Sequence, residues 1–209
     1  MLAAAISSSP RALWYLTRGT GVAALLLLTL TVALGVANHK RLETARIPRF
    51  AVDGVHRNAS LLAVVFLCIH IGTTLLDSYV PIRVINVFVP FGSAYKPLWL
   101  GFGAIAFDLL MAVAITSALR RRIGHTMWRA THWLAYASWP VALIHGLGMG
   151  TDRRSHWMLA LTAGCVLVVV LAILARLFGT DSVPSSTTSA NPTGHRRRLD
   201  ALIPATRRR

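Results

Sequence analysis

Five long apolar runs constrain this chain more than any other feature. They cover roughly residues 19–37, 58–76, 97–118, 131–150 and 157–178. Each is near the ~20 residues that carry a helix across ~30 Å of hydrocarbon. Lipid offers the backbone no hydrogen-bond partner but itself, so runs of this kind must be helices. Hydrophobic side chains make up 55% of the 209 residues and the mean hydropathy is +0.57, both high for a soluble domain. The expectation is an all-α, polytopic membrane bundle of about five transmembrane helices.

The flanks differ in composition. Residues 1–18 form a short N-terminal lead in which Trp14 and Tyr15 sit as interfacial anchors. Residues 19–178 hold the apolar runs and form the transmembrane domain. Residues 179–209, rich in Ser, Thr, Pro and Arg, cannot bury a core and read as a disordered, basic cytoplasmic tail. The loop from Asp77 to Lys96 is too short and too interrupted by Pro and Gly to span. It is expected to be re-entrant or to lie on the outer surface.

The formal net charge of +15 suggests nucleic acid only until its distribution is considered. A nucleic-acid binder carries a basic face on a folded domain, whereas these charges cluster between the apolar runs and in the tail. Lys40, Arg41, Arg46, Arg49 and Arg57 fall in the first loop, and Arg120, Arg121, Arg122 and Arg129 in the third. Arg176 and the triplets Arg196–Arg198 and Arg207–Arg209 follow the last run. The opposite side holds Arg11, Arg18, Arg83, Lys96, Arg153 and Arg154, so the count is sixteen against six. Without the distant triplets it is ten against six. The positive-inside rule then puts the N-terminus outside and the C-terminus in the cytoplasm. Gly35-Val36-Ala37 resembles a signal-peptide cleavage site, but the run before it is long and its polar lead extended, which favours a retained span.

The two cysteines, Cys68 and Cys165, lie inside apolar runs with no metal-site or disulfide spacing. They read as small hydrophobes packed between helices. No Gly-rich dinucleotide fingerprint and no P-loop occurs. Electrons, if this chain conducts them, are expected from a separate donor.

Four histidines stand in or at the edge of the second and fourth runs as two pairs, His56 with His70 and His132 with His145, spaced fourteen and thirteen residues apart, with His56 near the cytoplasmic edge of the second. Ionisable or metal-binding side chains within a span are costly, so they read as functional by default. Fourteen residues rise about 21 Å and return within about 40° of the starting face. The second and fourth spans run in the same direction, which matches His56 in depth with His132 and His70 with His145. Two such levels can hold two stacked metal cofactors, and haem has the right size. The thirteen-residue step is less tidy, leaving His145 about 140° from His132 on an ideal helix. Pro140, between them, is the expected kink that turns both rings inward. One such histidine is readily explained by hydrogen bonding between helices; a two-by-two array is not.

Other residues compete for roles. Asp108 lies mid-span in the third run, either as a hydrogen-bonded structural carboxyl, as a partner to a histidine ring nitrogen or as a proton relay. Arg57, Arg129 and Arg120–Arg122 flank the His56/His132 level, where they can pair with propionates, meet an acidic partner or simply mark the cytoplasmic side. Arg83 and Lys96 hold the equivalent outer position. His125 is a rival to His132 but sits in the basic headgroup zone; His39, His156 and His195 read as loop residues. Trp133, Trp139 and Phe66 fall between the two levels, where core packing accounts for them.

The segments His56-Arg57-Asn58 through Cys68-Ile69-His70, and Trp128-Arg129-Ala130-Thr131-His132 through His145-Gly146, resemble the ferric reductase-like transmembrane domain family over about residues 50–155. The likeness extends to Thr73–Tyr79, to Val89-Pro90-Phe91 and to Gly150-Thr151-Asp152. That family includes ferric-chelate reductases and the membrane half of NADPH oxidases. The resemblance implies two b-type haems, the inner held by His56 and His132 and the outer by His70 and His145. It further implies electron transfer from a cytoplasmic flavin or NAD(P)H reductase to an outer-face acceptor, such as ferric iron, oxygen or a protein. Five spans rather than six, and no flavin or nicotinamide module, separate this chain from the larger oxidases and leave a stand-alone activity open. Two alternatives remain: a haem-free proton or solute transporter using the intramembrane histidines and Asp108, and the haem subunit of a periplasmic methionine sulfoxide-repair reductase. A plasma-membrane location follows, and twenty Arg against two Lys points to a bacterial source.

Overall fold

The computed structural model describes residues 10–39, 49–78, 80–150 and 154–178. Residues 1–9, most of the first basic loop and the tail from 179 onward lie outside the described residues. The expectations for Lys40, Arg41, Arg46 and the two arginine triplets fall there. Among the described residues there is no strand. The long helices are α1 (Pro10–His39), α2 (Arg49–Leu76), α4 (Pro97–Ala118), α7 (Leu134–Met149) and α8 (His156–Phe178). Between them lie α3 (Ile85–Phe88), α5 (Arg120–Ile123) and α6 (His125–His132). The first helix begins at Pro10, so the second half of the polar lead is helical and Trp14 packs edge-on against Tyr15, with ring centroids 4.8 Å apart.

Four segments are long and apolar enough to cross a membrane: Ala12–Val36, Phe50–Leu76, Pro97–Ala118 and His156–Phe178. The fifth crossing is divided. Helix α7 has 16 residues, about 24 Å of rise and short of a ~30 Å core. Helix α6 leads into it through Trp133, whose φ of −62° and ψ of −23° remain helical. Together they carry the chain from His125 to Met149.

The division adds a second irregularity to the one expected at Pro140. Pro140 sits inside α7 without ending it. The break falls one residue after His132. There Trp133 N–H donates to the Ala130 carbonyl at 3.3 Å and Tyr136 N–H to the Trp133 carbonyl at 3.1 Å. Bonds three residues apart wind the chain at about 120° per residue rather than about 100°. Local tightening at Trp133 therefore recovers part of the rotation that a thirteen-residue step lacks.

Packing follows chain order in pairs: α1 lies along α2, α4 along α7, and α1 also packs on α7 and α8. The core is where α1, α7 and α8 meet. Leu28 and Val32 of α1, Trp139 of α7, and Cys165 and Val169 of α8 are buried together. The Trp139 indole N–H donates to Thr29 Oγ1 at 2.9 Å, and that hydroxyl donates to the Leu25 carbonyl at 2.8 Å. Core packing is therefore the role of Trp139, as expected. Cys165 is a packed small hydrophobe, but Cys68 is exposed on α2. Apolar side chains such as Leu61, Val65, Leu167 and Leu171 also face outward, which in a membrane is the lipid side.

The segment before α4 folds back along it. Phe88 meets Phe107 edge-on at 5.5 Å, ten residues into α4. Asn86 is buried, its side-chain oxygen accepting from Arg83 N–H at 3.0 Å. Phe91, in the left-handed region at φ 64°, lays its ring against Gly101, where a Cβ would collide with it.

Candidate cofactor-binding site

Helices α2 and α7 do not pack closely on each other; their histidine rings meet across the space between them. The His56 and His132 centroids are 6.3 Å apart with planes at 60°. Those of His70 and His145 are 6.4 Å apart with planes at 84°. The fold thus brings together the same two pairs, at two levels, that depth matching predicts from the sequence.

The spacing can be tested against coordination chemistry. An imidazole nitrogen binds a transition metal at about 2.0 Å and stands roughly 1.1 Å from its own ring centre, so two imidazoles on opposite sides of one metal would have centroids roughly 6.2 Å apart, against roughly 5 Å at a tetrahedral angle. Both pairs meet that value, and neither is close enough for a direct hydrogen bond between coplanar rings. Among the described residues no group of three or more His, Cys, Asp or Glu is gathered. A two-nitrogen site suits a metal whose other ligands come with it, as in a porphyrin.

The rings are aimed by main-chain atoms. His70 Nδ1 lies 2.7 Å from the Thr17 carbonyl, His56 Nδ1 3.1 Å from the Thr31 carbonyl, and His145 Nδ1 2.8 Å from the Trp99 carbonyl. A carbonyl only accepts, so in each case Nδ1 carries the hydrogen and Nε2 keeps its lone pair. Orientation and tautomer are fixed as a metal ligand needs them. His132 departs from this pattern, since its Nδ1 is buried without a hydrogen-bond partner.

A glycine lies four residues after each anchoring carbonyl: Gly21 after Thr17, Gly35 after Thr31, Gly103 after Trp99. In a helix the carbonyl of residue i points at the N–H of residue i+4, so a side chain there would crowd anything else approaching that oxygen. A Cβ on Gly103 would stand 2.6 Å from the His145 ring and one on Gly21 2.9 Å from His70, while one on Gly35 would clear His56 at 3.6 Å. Sequence reasoning missed these glycines and the three carbonyls. Gly21 and Gly35 are fourteen residues apart, the same step as His56 and His70, and that match was the available signal.

The remaining candidates fall into place around this frame. Asp108 is half-buried on α4; the Nδ1 bonds go to carbonyls, so it is not the partner of those nitrogens. Arg57, Arg129 and Arg120–Arg122 are exposed and lie near His56 and His132 in sequence. Arg120 places its guanidinium 4.2 Å over the Trp128 ring, and Trp128 stacks on His132 at 5.1 Å with planes at 30°. His125 touches Trp128 at 5.5 Å and belongs to this rim. Toward the other level Arg83 is exposed, and Lys96, at φ 40°, holds its ammonium 5.7 Å from the Tyr95 ring.

A multi-pass helical bundle with two matched imidazole pairs inside it is the architecture of a membrane redox protein. The family described as ferric reductase like transmembrane component matches residues 20–149, more than half of the chain, and this protein belongs to that family. The match takes in α1 from residue 20 onward, which the sequence resemblance had left out, and with it the Thr31 carbonyl that anchors His56. No curated protein and no solved structure matches the chain. Membership gives it a role in membrane electron transfer.

Proposed function

We propose that this chain conducts electrons across a bacterial plasma membrane through two b-type haems, held by His56 with His132 and by His70 with His145. The observation that carries the reading is the pair of centroid distances, 6.3 and 6.4 Å, both at the spacing of two imidazoles on one metal. Three of the four rings also present Nε2 with its lone pair free.

Haem, when bound, supplies the one-electron chemistry. The protein's share is position and environment. His56, His70, His132 and His145 would each offer a ring nitrogen to haem iron, at two levels about 20 Å apart along the helix axis. The Thr17, Thr31 and Trp99 carbonyls hold three rings against rotation. Exposed Arg57, Arg121, Arg122 and Arg129 form a basic face near the His56/His132 level. Such a face suits an acidic flavoprotein donor. Acceptors at the other level are ferric iron, oxygen or a protein, the last including a periplasmic repair reductase.

The test is a dithionite-reduced minus oxidised spectrum of detergent-purified protein, with haem counted per chain. Two b-type haems are expected in the wild type. His70→Ala or His145→Ala is expected to lose the outer haem, and His56→Ala or His132→Ala the inner one. Haem-free protein with pH-dependent flux in vesicles would instead favour a transporter built on the same histidines and Asp108.

A further inference from the structure

Three imidazoles share one anchoring device and the fourth does not. On α1 the device repeats after fourteen residues, as Thr17 with Gly21 and then Thr31 with Gly35. On α4 it appears once, as Trp99 with Gly103. Fourteen residues further along α4, at the level of His132, the equivalent positions are Val113 and Ser117. The glycine is missing, so the approach to the carbonyl is narrowed by a side chain. The difference lies in the missing glycine and not in prior engagement of the oxygen, since the Val113 carbonyl accepts from Thr116 Oγ1 at 3.2 Å and the Thr17 carbonyl accepts from Thr20 Oγ1 at 3.2 Å while still anchoring His70. His132 Nδ1 correspondingly has no partner.

Ser117 does something else. Its Oγ lies 3.4 Å from Trp128 Nε1 and accepts its hydrogen. The Trp128 indole lies nearly parallel to the His132 ring, centroids 5.1 Å apart, and Arg120 rests 4.2 Å above the indole. The residue that takes the place of the expected glycine therefore tethers the aromatic ring that covers the unanchored imidazole.

We infer that Trp128 is the positioning residue of His132, replacing, through its tether to Ser117, the backbone carbonyl that aims each of the other three ligands. The inference rests on the two-haem reading above. A carbonyl bond fixes both tautomer and ring rotation. Stacking fixes the plane of the ring but leaves Nδ1 uncommitted. The His56/His132 site is consequently the less constrained of the two, with an axial ligand that exchanges more readily.

The experiment uses the full chain with haem bound and reads ligation rather than turnover: electron paramagnetic resonance of the oxidised protein, carbon monoxide uptake by the reduced protein, and potentiometric midpoints. In Trp128→Leu one of the two low-spin signals is expected to be lost or shifted, and one haem per chain should take up carbon monoxide. Trp128→Phe keeps a stacking ring but loses the indole N–H, so it is expected to shift that signal as loss of the tether alone does, and by less than Trp128→Leu. Adding Ser117→Gly to Trp128→Leu reopens the approach to the Val113 carbonyl and should restore the lost signal. Should Trp128→Leu fail to accumulate, Ser117→Ala removes the tether alone and is expected to shift the same signal and its midpoint. Two unchanged low-spin haems in Trp128→Leu or in Ser117→Ala would overturn the inference. So would equal damage to both haems, or no rescue by Ser117→Gly. Haem-free wild-type protein would overturn the haem reading itself, which distinguishes the two failures.

Discussion

At the scale of single residues, the ligand set depends as much on missing side chains as on those present. A Cβ at Gly103 or Gly21 would press on a histidine ring at 2.6 or 2.9 Å, whereas one at Gly35 would meet His56 at 3.6 Å, an ordinary contact. Both tight positions serve the His70/His145 level. Gly103→Ala and Gly21→Ala are therefore expected to lower haem content from two towards one per chain, with the loss at that level, and Gly35→Ala to retain both. Pyridine-haemochrome counts with protein quantification measure this; full haem content in Gly103→Ala would remove the packing argument. The four histidines themselves were legible in the sequence, because a side chain that is costly in lipid declares itself. The atoms that aim them were not. A main-chain carbonyl belongs to every residue type, so Thr17, Thr31 and Trp99 leave no compositional trace, and only the fourteen-residue glycine step hinted at their places.

At the scale of elements, apolar length identified all five crossings, but not where local hydrogen bonding departs from the ideal helix. The thirteen-residue step from His132 to His145 demanded an irregularity, and proline was the visible candidate. Neighbouring helices and local readjustment tolerate proline within a membrane helix, and α7 runs through Pro140. The three-residue bonds at Trp133 involve Ala130, Trp133 and Tyr136, whose residue types carry no turn signature. Pro140→Ala is accordingly expected to keep two haems per chain with unshifted spectra; loss of either would return the aiming role to the proline. A second element-scale prediction concerns how α1 is fastened to α7. Trp139→Phe keeps an aromatic ring, though a smaller one, and deletes the 2.9 Å bond to Thr29. Interhelical bonds in lipid average about 0.6 kcal/mol, so a small fall in thermal stability in detergent is expected, with haem content unchanged. A large loss of haem would instead make Trp139 part of the cofactor frame.

For the whole molecule, the arrangement of helices fixes which residues share a level but not which level faces the cytoplasm. That assignment comes from charge. With sixteen basic residues against six, the positive-inside rule puts the His56/His132 level, with Arg57, Arg120–Arg122 and Arg129, on the cytoplasmic side. A cluster of arginines attracts an acidic protein over about a Debye length, ~8 Å at physiological salt, which is the basis for proposing an acidic donor on that side. Fluorescent-protein and alkaline-phosphatase fusions decide the matter. A green fluorescent protein joined after Phe178 is expected to fluoresce, and phosphatase joined there to be inactive. Phosphatase inserted in the segment between α2 and α4 is expected to be active. The opposite pattern would place the basic face outside and make His70/His145 the entry level. The two imidazole pairs would stand unchanged, but the donor would then have to dock where Arg83 and Lys96 are. That side holds six basic residues against ten on the other even without the distant triplets, a weaker electrostatic dock, so the inverted topology would also weaken the argument for an acidic donor.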